Sequence, residues 1–178
     1  TTFQVVSLGT STGYATVDYQ LWAPVVQFGL IMLMVIGGCA GSTGGGAKVV
    51  RLLITLKHSL NQLFLLVHPK GVRPLTIGHS IVAPAVVQRV VGYFSIYTAI
   101  FFIASMVLIG GGMDMLSAFS AAIACLSNIG PGFGVVGPTE TFAMLPDLSK
   151  LALTFCMLAG RLEIFTIFVL FLPSFWKR

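Results

Sequence analysis

Two short glycine-containing segments carry residues that could bind a cation through backbone carbonyl oxygens. Residues 10–14 read Thr-Ser-Thr-Gly-Tyr, and residues 127–134 read Ser-Asn-Ile-Gly-Pro-Gly-Phe-Gly. Glycine suits this role because it adopts conformations that turn carbonyl groups toward an axis and has no Cβ to obstruct them. Either of these filter segments alone is equally compatible with a plain turn. Two of them, each placed just before an apolar stretch, favour loops that converge on a pore.

A third segment, the glycine-rich loop of residues 37–48, interrupts an apolar run that is otherwise long enough to cross a membrane. It reads Gly-Gly-Cys-Ala-Gly-Ser-Thr-Gly-Gly-Gly-Ala-Lys. Non-helical backbone persists at membrane depth only where it is buried in protein or lines a water-filled cavity. We therefore predict a mobile loop along a permeation path; close helix packing through small residues and a simple kink are the alternatives. The residues assigned to gating in this loop are Gly44, Gly45, Gly46 and Lys48.

Arg161 is a charged residue in the middle of the last apolar stretch, within Gly-Arg-Leu-Glu-Ile-Phe. An arginine at that depth costs about 2.5–3.5 kcal/mol on insertion scales, so it needs a partner or an aqueous cavity. Glu163 is a poor partner, because residues two positions apart do not face each other on a helix. We place Arg161 in the conduction path below the filter segments, as a barrier to cations or a contact for the glycine-rich loop. A structural tie to neighbouring backbone carbonyls is the alternative.

Two enzyme motifs are nearly matched, but both fail. Residues 41–46 have the glycine spacing of a phosphate-binding P-loop, yet Ala47 stands where lysine is required and Lys48 comes one residue late. Residues 9–13 match Gly-x-Ser-x-Gly, which needs a strand-to-helix turn in an α/β sheet that this sequence does not predict. No enzymatic activity and no catalytic residue are therefore predicted.

The composition predicts a membrane protein. Of the 178 residues, 56% are hydrophobic and 8% are charged, whereas soluble domains have about 25% charged residues. The net charge of +5 comes largely from one basic block, which is typical of a cytoplasmic loop. Nucleic-acid binding is excluded, because the block lacks interleaved aromatic residues. The block consists of Lys48, Arg51, Lys57, Lys70, Arg73 and Arg89.

The remaining notable side chains are assigned packing roles. Cys39, Cys125 and Cys156 lie in apolar or glycine-rich surroundings and are odd in number, which argues against a disulfide framework. The aromatic stripe of Phe94, Tyr97, Phe101 and Phe102 is interpreted as a packing surface without chemistry.

The fold class predicted is an all-α integral membrane protein, built from span–pore-helix–filter-loop–span units. The first unit is partial and covers residues 1–67, and a cytoplasmic linker covers 68–89. A complete unit follows over 90–178. It contains an outer span at 90–112, a pore helix at 114–126, a filter at 127–134 and an inner span at 148–176.

These motifs together resemble the C-terminal portion of TrkH-type potassium uptake proteins of the Trk/Ktr/HKT superfamily. The resemblance rests on the two filter segments, the glycine-rich loop and the Gly-Arg-Leu-Glu-Ile-Phe-Thr segment, and it covers essentially the whole chain. It implies four covalently linked repeats in a pseudo-fourfold potassium-channel-like pore, of which this chain holds the end of the third and all of the fourth. The chain begins at Thr1 and is expected to be a piece of a longer protein. The outer span and pore helix of the third repeat are expected to lie outside it.

The resemblance also implies roles for individual residues. Gly13 and Gly130 become two of the four filter glycines. The resemblance further implies that potassium is the transported ion and that no cofactor is covalently bound. The glycine-rich loop becomes the intramembrane gate, with Arg161 facing the pore. Ser11 and Ser127 depart from the Thr and Asn expected in many members, a mild change where backbone atoms coordinate the ion. The carbonyls expected to bind potassium are those of Ser11, Thr12, Asn128 and Ile129.

The same resemblance predicts partners and location. It implies a multi-pass protein of the bacterial cytoplasmic membrane, part of a Trk symport system, in contact with lipid and with the remaining repeats of the longer chain. A homodimer and a cytosolic nucleotide-binding regulatory subunit of the RCK type are expected, so that any nucleotide acts only through that subunit. A secondary transporter with broken helices and a non-transporting membrane scaffold are the competing hypotheses.

Overall fold

The computed structural model describes residues 2–39, 41–42, 44–69, 71, 73–78, 80–162, 164–171 and 173–176. Apart from one short hairpin, the regular structure in these ranges is helical, which confirms the predicted all-α class. The helices are α1 (Thr2–Gly9), α2 (Pro24–Ile36), α3 (Val49–Val67), α4 (Pro84–Gly110), α5 (Met115–Leu126), α6 (Asp147–Arg161), α7 (Ile164–Phe171) and α8 (Pro173–Trp176). The hairpin pairs β1 (Thr76–Ile77) with β2 (Ser80–Ile81), and single 3-10 turns occupy Tyr19–Leu21, Gly134–Val136 and Phe142–Met144.

Helix length separates two long helices from the shorter ones. Within the described ranges, α3 with 19 residues and α4 with 27 residues are long and apolar enough to cross a membrane. At about 1.5 Å per residue, α4 is about 40 Å long, against a hydrocarbon core of about 30 Å. Helices α2 and α5, with 13 and 12 residues, are shorter than a bilayer requires.

The predicted inner span over 148–176 is bent in the structure. Helix α6 ends at Arg161, and α7 leaves it at an angle of 111°. The end of α6 is fixed in place because Gly160 packs directly against the Leu126 carbonyl of α5. Arg161, the last residue of α6, lines a cavity.

The predicted limits of the linker and of the outer span also need correction. Helix α4 begins at Pro84, within the predicted linker of 68–89, and ends at Gly110. Proline is favoured in the first helical turn because its missing N–H would have no intrahelical partner there. The hairpin inside the linker was not predicted, since strands of two residues show no alternating pattern.

Helix α1 corrects the expectation that no pore helix precedes the first filter segment. Residues Thr2–Gly9 are helical and lead directly into residues 10–14. Their backbone carbonyls accept hydrogen bonds from the segment that follows. The chain therefore has a short helix before each of its two filter segments.

The main core lies where α4, α5 and α6 meet. Helix α5 is rich in small residues, and Ala118, Ala121 and Ala122 are fully buried. Small side chains let neighbouring helix backbones approach closely, so α4 and α6 enclose α5. A second cluster joins Leu8 of α1 and Met34 of α2 to Ile129 and Phe133, which follow α5. The two halves of the chain therefore pack together at the filter segments.

Candidate ion-binding site

The two filter segments share one backbone conformation. Ser11 and Asn128 have positive φ angles of 58° and 53°, and the glycines two positions later, Gly13 and Gly130, have φ angles of 78° and 107°. Left-handed backbone is uncommon outside glycine, although Asn tolerates it better than most residues. Both segments therefore have positive φ angles at the same two positions.

The hydrogen bonds that tie each segment to its preceding helix also correspond residue for residue. In the first segment, Thr10, Ser11 and Thr12 donate through their backbone N–H groups to Val6, Leu8 and Ser7 at 2.9, 3.3 and 2.9 Å. In the second, Ser127, Asn128 and Ile129 donate to Ile123, Cys125 and Ala124 at 2.8, 3.1 and 2.9 Å. The side chains differ between the segments, so this repeat is carried by the backbone and is weak in the sequence.

The filter segments meet at Gly13 and Ile129. The Gly13 Cα faces the Ile129 carbonyl so closely that a Cβ would overlap the carbonyl oxygen. A Cβ there would also lie 3.3 Å from the Cδ of Pro131. By contrast, no described atom lies within 4 Å of a Cβ position at Gly130. The structure thus places one predicted filter glycine beside a predicted ligand carbonyl of the other segment.

Side chains that follow the first filter segment hold the second one. The Tyr19 hydroxyl donates to the Gly132 carbonyl at 3.0 Å, and the Gln20 side-chain oxygen accepts from the Gly134 N–H at 2.7 Å. Tyr19 is fully buried against Phe133, and this burial raises the pKa of its phenol above the usual range. Its hydroxyl therefore remains a donor, which keeps the two segments in register.

The N-terminus of α5 has its own capping residue. The Asp114 carboxylate accepts a hydrogen bond from the Ser117 N–H at 3.2 Å, as an N-cap residue does. Hydrogen bonds from Ser117 hold the pKa of this carboxyl below its usual value. The cap fixes the start of the helix whose other end carries the second filter segment.

The glycine-rich loop lies against the helix-proximal ends of both filter segments. A Cβ on Gly44 would lie 3.4 Å from the Thr10 carbonyl oxygen, and one on Gly45 would overlap the Ser127 carbonyl. Thr10 and Ser127 occupy corresponding positions in their segments. The loop is anchored to the end of α2 by the Ala47 N–H, which donates to the Val35 carbonyl at 3.1 Å.

A cavity of about 300 Å³ opens beside this loop. It brings together four of the residues predicted to gate, namely Gly44, Gly46, Lys48 and Arg161, whereas Gly45 does not line it. The remaining lining residues are Ser42, Arg51, Tyr93 and Gly160. The cavity therefore presents positively charged side chains next to the filter segments. A larger cavity of about 510 Å³, between α3, the hairpin and α4, contains none of the predicted site residues.

The Asn128 side chain connects three parts of this site. Its Nδ2 would lie 3.1 Å from a Cβ on Gly45 and 2.7 Å from a Cβ on Gly160. It is buried and has no hydrogen-bond acceptor among the residues that the structure describes. Asn128 was predicted for its carbonyl only, and the structure places its side chain between the loop, the filter and the end of α6.

Tyr97 corrects the interpretation of the aromatic stripe as packing alone. Its hydroxyl lies 3.5 Å from the Ser127 Oγ, at the outer limit of a hydrogen bond. One turn away, the Tyr93 hydroxyl donates to the Gly46 carbonyl at 3.2 Å, and Arg51 places its guanidinium 4.2 Å from the Tyr93 ring centre. Tyr93 and Arg51 were not predicted as site residues. The signal available in the sequence was a tyrosine, with its hydroxyl, in place of a phenylalanine within an apolar span.

Comparison with known proteins identifies the family. The model of the family described as TrkH, a cation transport protein, matches residues 1–178. The chain is 41% identical over 176 residues to the Trk system potassium uptake protein TrkH of Escherichia coli K12, and 37% identical over 177 residues to TrkG of the same strain. These matches cover 99% and 98% of this chain but 36% of each relative.

A solved structure gives the same result. The crystal structure of the potassium transporter TrkH from Vibrio parahaemolyticus superposes with a TM-score of 0.87 at 43% identity, covering 98% of this chain and 37% of that one. The chain thus spans little more than a third of the length of the relatives it matches. Since the family model and these relatives align with the chain almost from end to end, the chain belongs to the TrkH family of cation transport proteins.

Proposed function

We propose that the full-length protein containing this chain takes up potassium across the bacterial cytoplasmic membrane. The observation that carries the proposal is the convergence of two backbone-matched filter segments, with Gly13 against the Ile129 carbonyl. The relatives' names, Trk system potassium uptake proteins, agree with it. Potassium is the substrate in this proposal, and no covalently bound cofactor is involved.

Carbonyl oxygens would do the selective binding. A permeating potassium ion gives up its hydration water to rings of backbone carbonyls, and the ligands proposed here are the carbonyls of Ser11, Thr12, Asn128 and Ile129. The peptide groups that carry the first three of these carbonyls are held by hydrogen bonds to α1 and α5, which reduces the reorganisation needed when an ion enters. A closed ring needs further segments, which we assign to the remaining repeats of the full-length protein.

The glycine-rich loop would act as the gate. It lies against the Thr10 and Ser127 carbonyls, at the end of the filter that an ion must pass. Arg161 and Lys48 line the adjoining cavity. A fixed positive charge about 4 Å from a cation costs about 4 kcal/mol at an effective dielectric constant of about 20, or roughly a thousandfold in occupancy. Movement of the loop and of these charges would therefore control flux.

The organisation and partners follow the same proposal. The chain would supply the end of one repeat over 1–67, a cytoplasmic segment over 68–89 and a full repeat over 90–178, within a pseudo-fourfold pore. A homodimer with a cytosolic nucleotide-binding regulatory subunit is proposed. That subunit would dock on the basic face at the ends of α3 and α4, where Lys57, Arg73 and Arg89 are exposed.

A secondary transporter is the second candidate function. It is favoured by two interruptions, the glycine-rich loop between α2 and α3 and the 111° bend between α6 and α7, because carriers bind ions at broken helices. The short helices α1 and α5, each leading into a carbonyl-bearing loop, instead favour a channel-like pore.

Rubidium uptake into liposomes containing the full-length protein tests the proposal. We expect flux that resists excess sodium, and an increase of about tenfold or more in an Arg161→Ala variant, because a positive charge has left the path. Lys150→Ala is the matched control. It removes a cation from the opposite end of α6, where Lys150 lies 3.6 Å from Asp147, and it should not change the flux.

The outcome separates the candidates. Sodium-resistant flux that Arg161→Ala leaves unchanged would contradict the gating role of Arg161. Uptake that requires an imposed proton or sodium gradient in every variant would instead favour the secondary transporter.

A further inference from the structure

We infer that the Tyr93 hydroxyl is a positioning group that holds the glycine-rich loop in its blocking position against the filter segments. This inference rests on the proposed gating function, and it assigns to one atom of α4 the task of restraining the gate. It follows from the contacts of Tyr93, from the lack of side chains in the loop and from the cost of breaking a buried hydrogen bond.

The hydroxyl of Tyr93 reaches the loop where the loop adjoins the filter. It donates to the Gly46 carbonyl at 3.2 Å, and both residues are buried. A Cβ on Gly46 would lie 3.4 Å from the Ser127 Oγ, at the base of the second filter segment. This hydrogen bond therefore connects α4 to the loop next to the base of the second filter segment.

The Tyr93 ring is held by elements other than the loop. The guanidinium of Arg51, on α3, lies 4.2 Å from the ring centre, and the Phe165 ring, on α7, has its centre 6.3 Å away. The Tyr97 ring lies 6.0 Å away on the same helix. Because the ring is fixed on several sides, the position of its hydroxyl does not depend on the loop.

The loop itself offers little for a neighbour to hold. Gly44, Gly45 and Gly46 have no side chains, so their backbone groups must provide the restraint. Gly46 also has a φ angle of 84°, which suits glycine and which other residues adopt at a cost. A hydrogen bond donated by a side chain of a rigid helix to a backbone carbonyl can restrain such a segment, and it can also be broken when the segment moves.

The bond between Tyr93 and Gly46 joins two buried groups. Tyr93 is 4% exposed, and breaking a hydrogen bond between buried groups is unfavourable. Phenylalanine would fill nearly the same volume in this aromatic region, which already contains Phe94 and Phe165. The hydroxyl therefore favours the loop position in which it is bonded, and outward movement of the loop must break that bond.

The test compares Tyr93→Phe with Tyr19→Phe in the full-length protein. Tyr19 is also a buried tyrosine whose hydroxyl donates to a glycine carbonyl at 3.0 Å, but this carbonyl belongs to Gly132 of the second filter segment and not to the loop. The two variants lose the same kind of bond. Only Tyr93→Phe should release the loop.

Two measurements are made on each variant. One is rubidium flux in liposomes. The other is the rate at which a water-soluble thiol reagent modifies Cys39. This cysteine lies exposed in the loop, whereas Cys125 and Cys156 are buried. Cysteines elsewhere in the protein are first replaced by serine. We expect Tyr93→Phe to raise both by about fivefold, the effect of losing one ordinary buried hydrogen bond. Tyr19→Phe should lower thermal stability to a similar extent and leave Cys39 modification unchanged. Because Tyr19 holds the second filter segment, only the Cys39 modification rate serves as its control reading.

Deletion of residues 44–46 separates failure of this inference from failure of the proposed function. If the deletion raises flux while Tyr93→Phe changes neither flux nor Cys39 modification, the inference is wrong and the gate stands. If the deletion leaves flux unchanged but Tyr93→Phe still accelerates Cys39 modification, Tyr93 holds the loop and the proposed gating is wrong. Equal acceleration of Cys39 modification in Tyr19→Phe would also overturn the inference.

Discussion

Gly160 allows the end of α6 to lie directly against the end of α5. A Cβ at this position would overlap the Leu126 carbonyl and would lie 2.7 Å from the Asn128 Nδ2. The overlap is with backbone, which moves only if a helix moves. This contact therefore sets the position of Arg161, the next residue, relative to the second filter segment.

Gly160→Ala should consequently destabilise the full-length protein by about 1–3 kcal/mol, the usual cost of overpacking. It should also reduce rubidium flux, because the filter segment must shift to accommodate the methyl group. The matched control is Gly92→Ala in α4, where the nearest described atom to a Cβ is the Phe165 Cζ at 3.6 Å, an ordinary contact. Alanine there should stabilise the helix by about 0.5–1 kcal/mol. Thermal unfolding in detergent measures the stability of both variants, and equal unfolding midpoints would contradict the close contact at Gly160.

The sequence predicts some of these residue-level contacts and not others. Gly13 and Asn128 could be singled out because each lies in a glycine-containing turn with carbonyl groups, and Arg161 because it is a charge in an apolar stretch. Such features have few structural roles in a membrane. Tyr93 could not, because its function depends on a hydrogen bond to a loop far away in the sequence. The surroundings of the Asn128 side chain could not be predicted either, because they are formed by Gly45 and Gly160 together.

At the scale of elements, composition locates some helix ends and not others. Helix α5 lies within the stretch 114–126 predicted for a pore helix, and α3 ends at residue 67, where the first predicted unit ends, because each is an apolar run closed by polar or glycine residues. The bend between α6 and α7 was not predictable in this way. It occurs within a run without proline, where the packing of Gly160 on α5 decides where the helix ends.

The cap of α5 gives a prediction that depends on pH. Asp114 accepts hydrogen bonds from Ser117, and its lowered pKa means that the folded state prefers the charged carboxylate. Its stabilising contribution is therefore full above the unfolded pKa, about 3.9, and is lost as the pH falls through the lower folded value. Asp114→Ala should cost about 0.5–2 kcal/mol at pH 7, and the difference from the natural protein should narrow at and below about pH 4.

Asp114→Asn is the matched control, because asparagine caps helices about as well as aspartate and does not titrate. Thermal unfolding of the three proteins between pH 3 and pH 7 makes the comparison. The gap between the Asn and Ala variants should stay constant as the pH falls. A gap between the natural protein and Asp114→Ala that is independent of pH would show that the charged carboxylate does not contribute to the cap.

At the scale of the whole molecule, the described chain leaves the site open on one side. The first filter segment presents Gly13 to the Ile129 carbonyl of the second, but no described atom lies within 4 Å of a Cβ position at Gly130. The two glycines occupy corresponding positions with the same left-handed backbone. If the pore is pseudo-fourfold, a carbonyl of the next repeat should stand beside Gly130 as Ile129 stands beside Gly13.

This reasoning predicts that Gly13→Ala and Gly130→Ala damage the full-length protein equally. Each alanine carries the strain of a positive φ angle, about 1–2 kcal/mol, and each should also displace a neighbouring ligand carbonyl. We expect both variants to lose at least about tenfold of their preference for rubidium over sodium in competitive uptake, because a shifted carbonyl no longer matches the ion. A large loss of this preference for Gly13→Ala with little loss for Gly130→Ala would mean that no carbonyl of the next repeat lies beside Gly130. The contact between the two filter segments would then be a single junction in the full-length protein, and the ring that selective binding requires would have to be closed in another way.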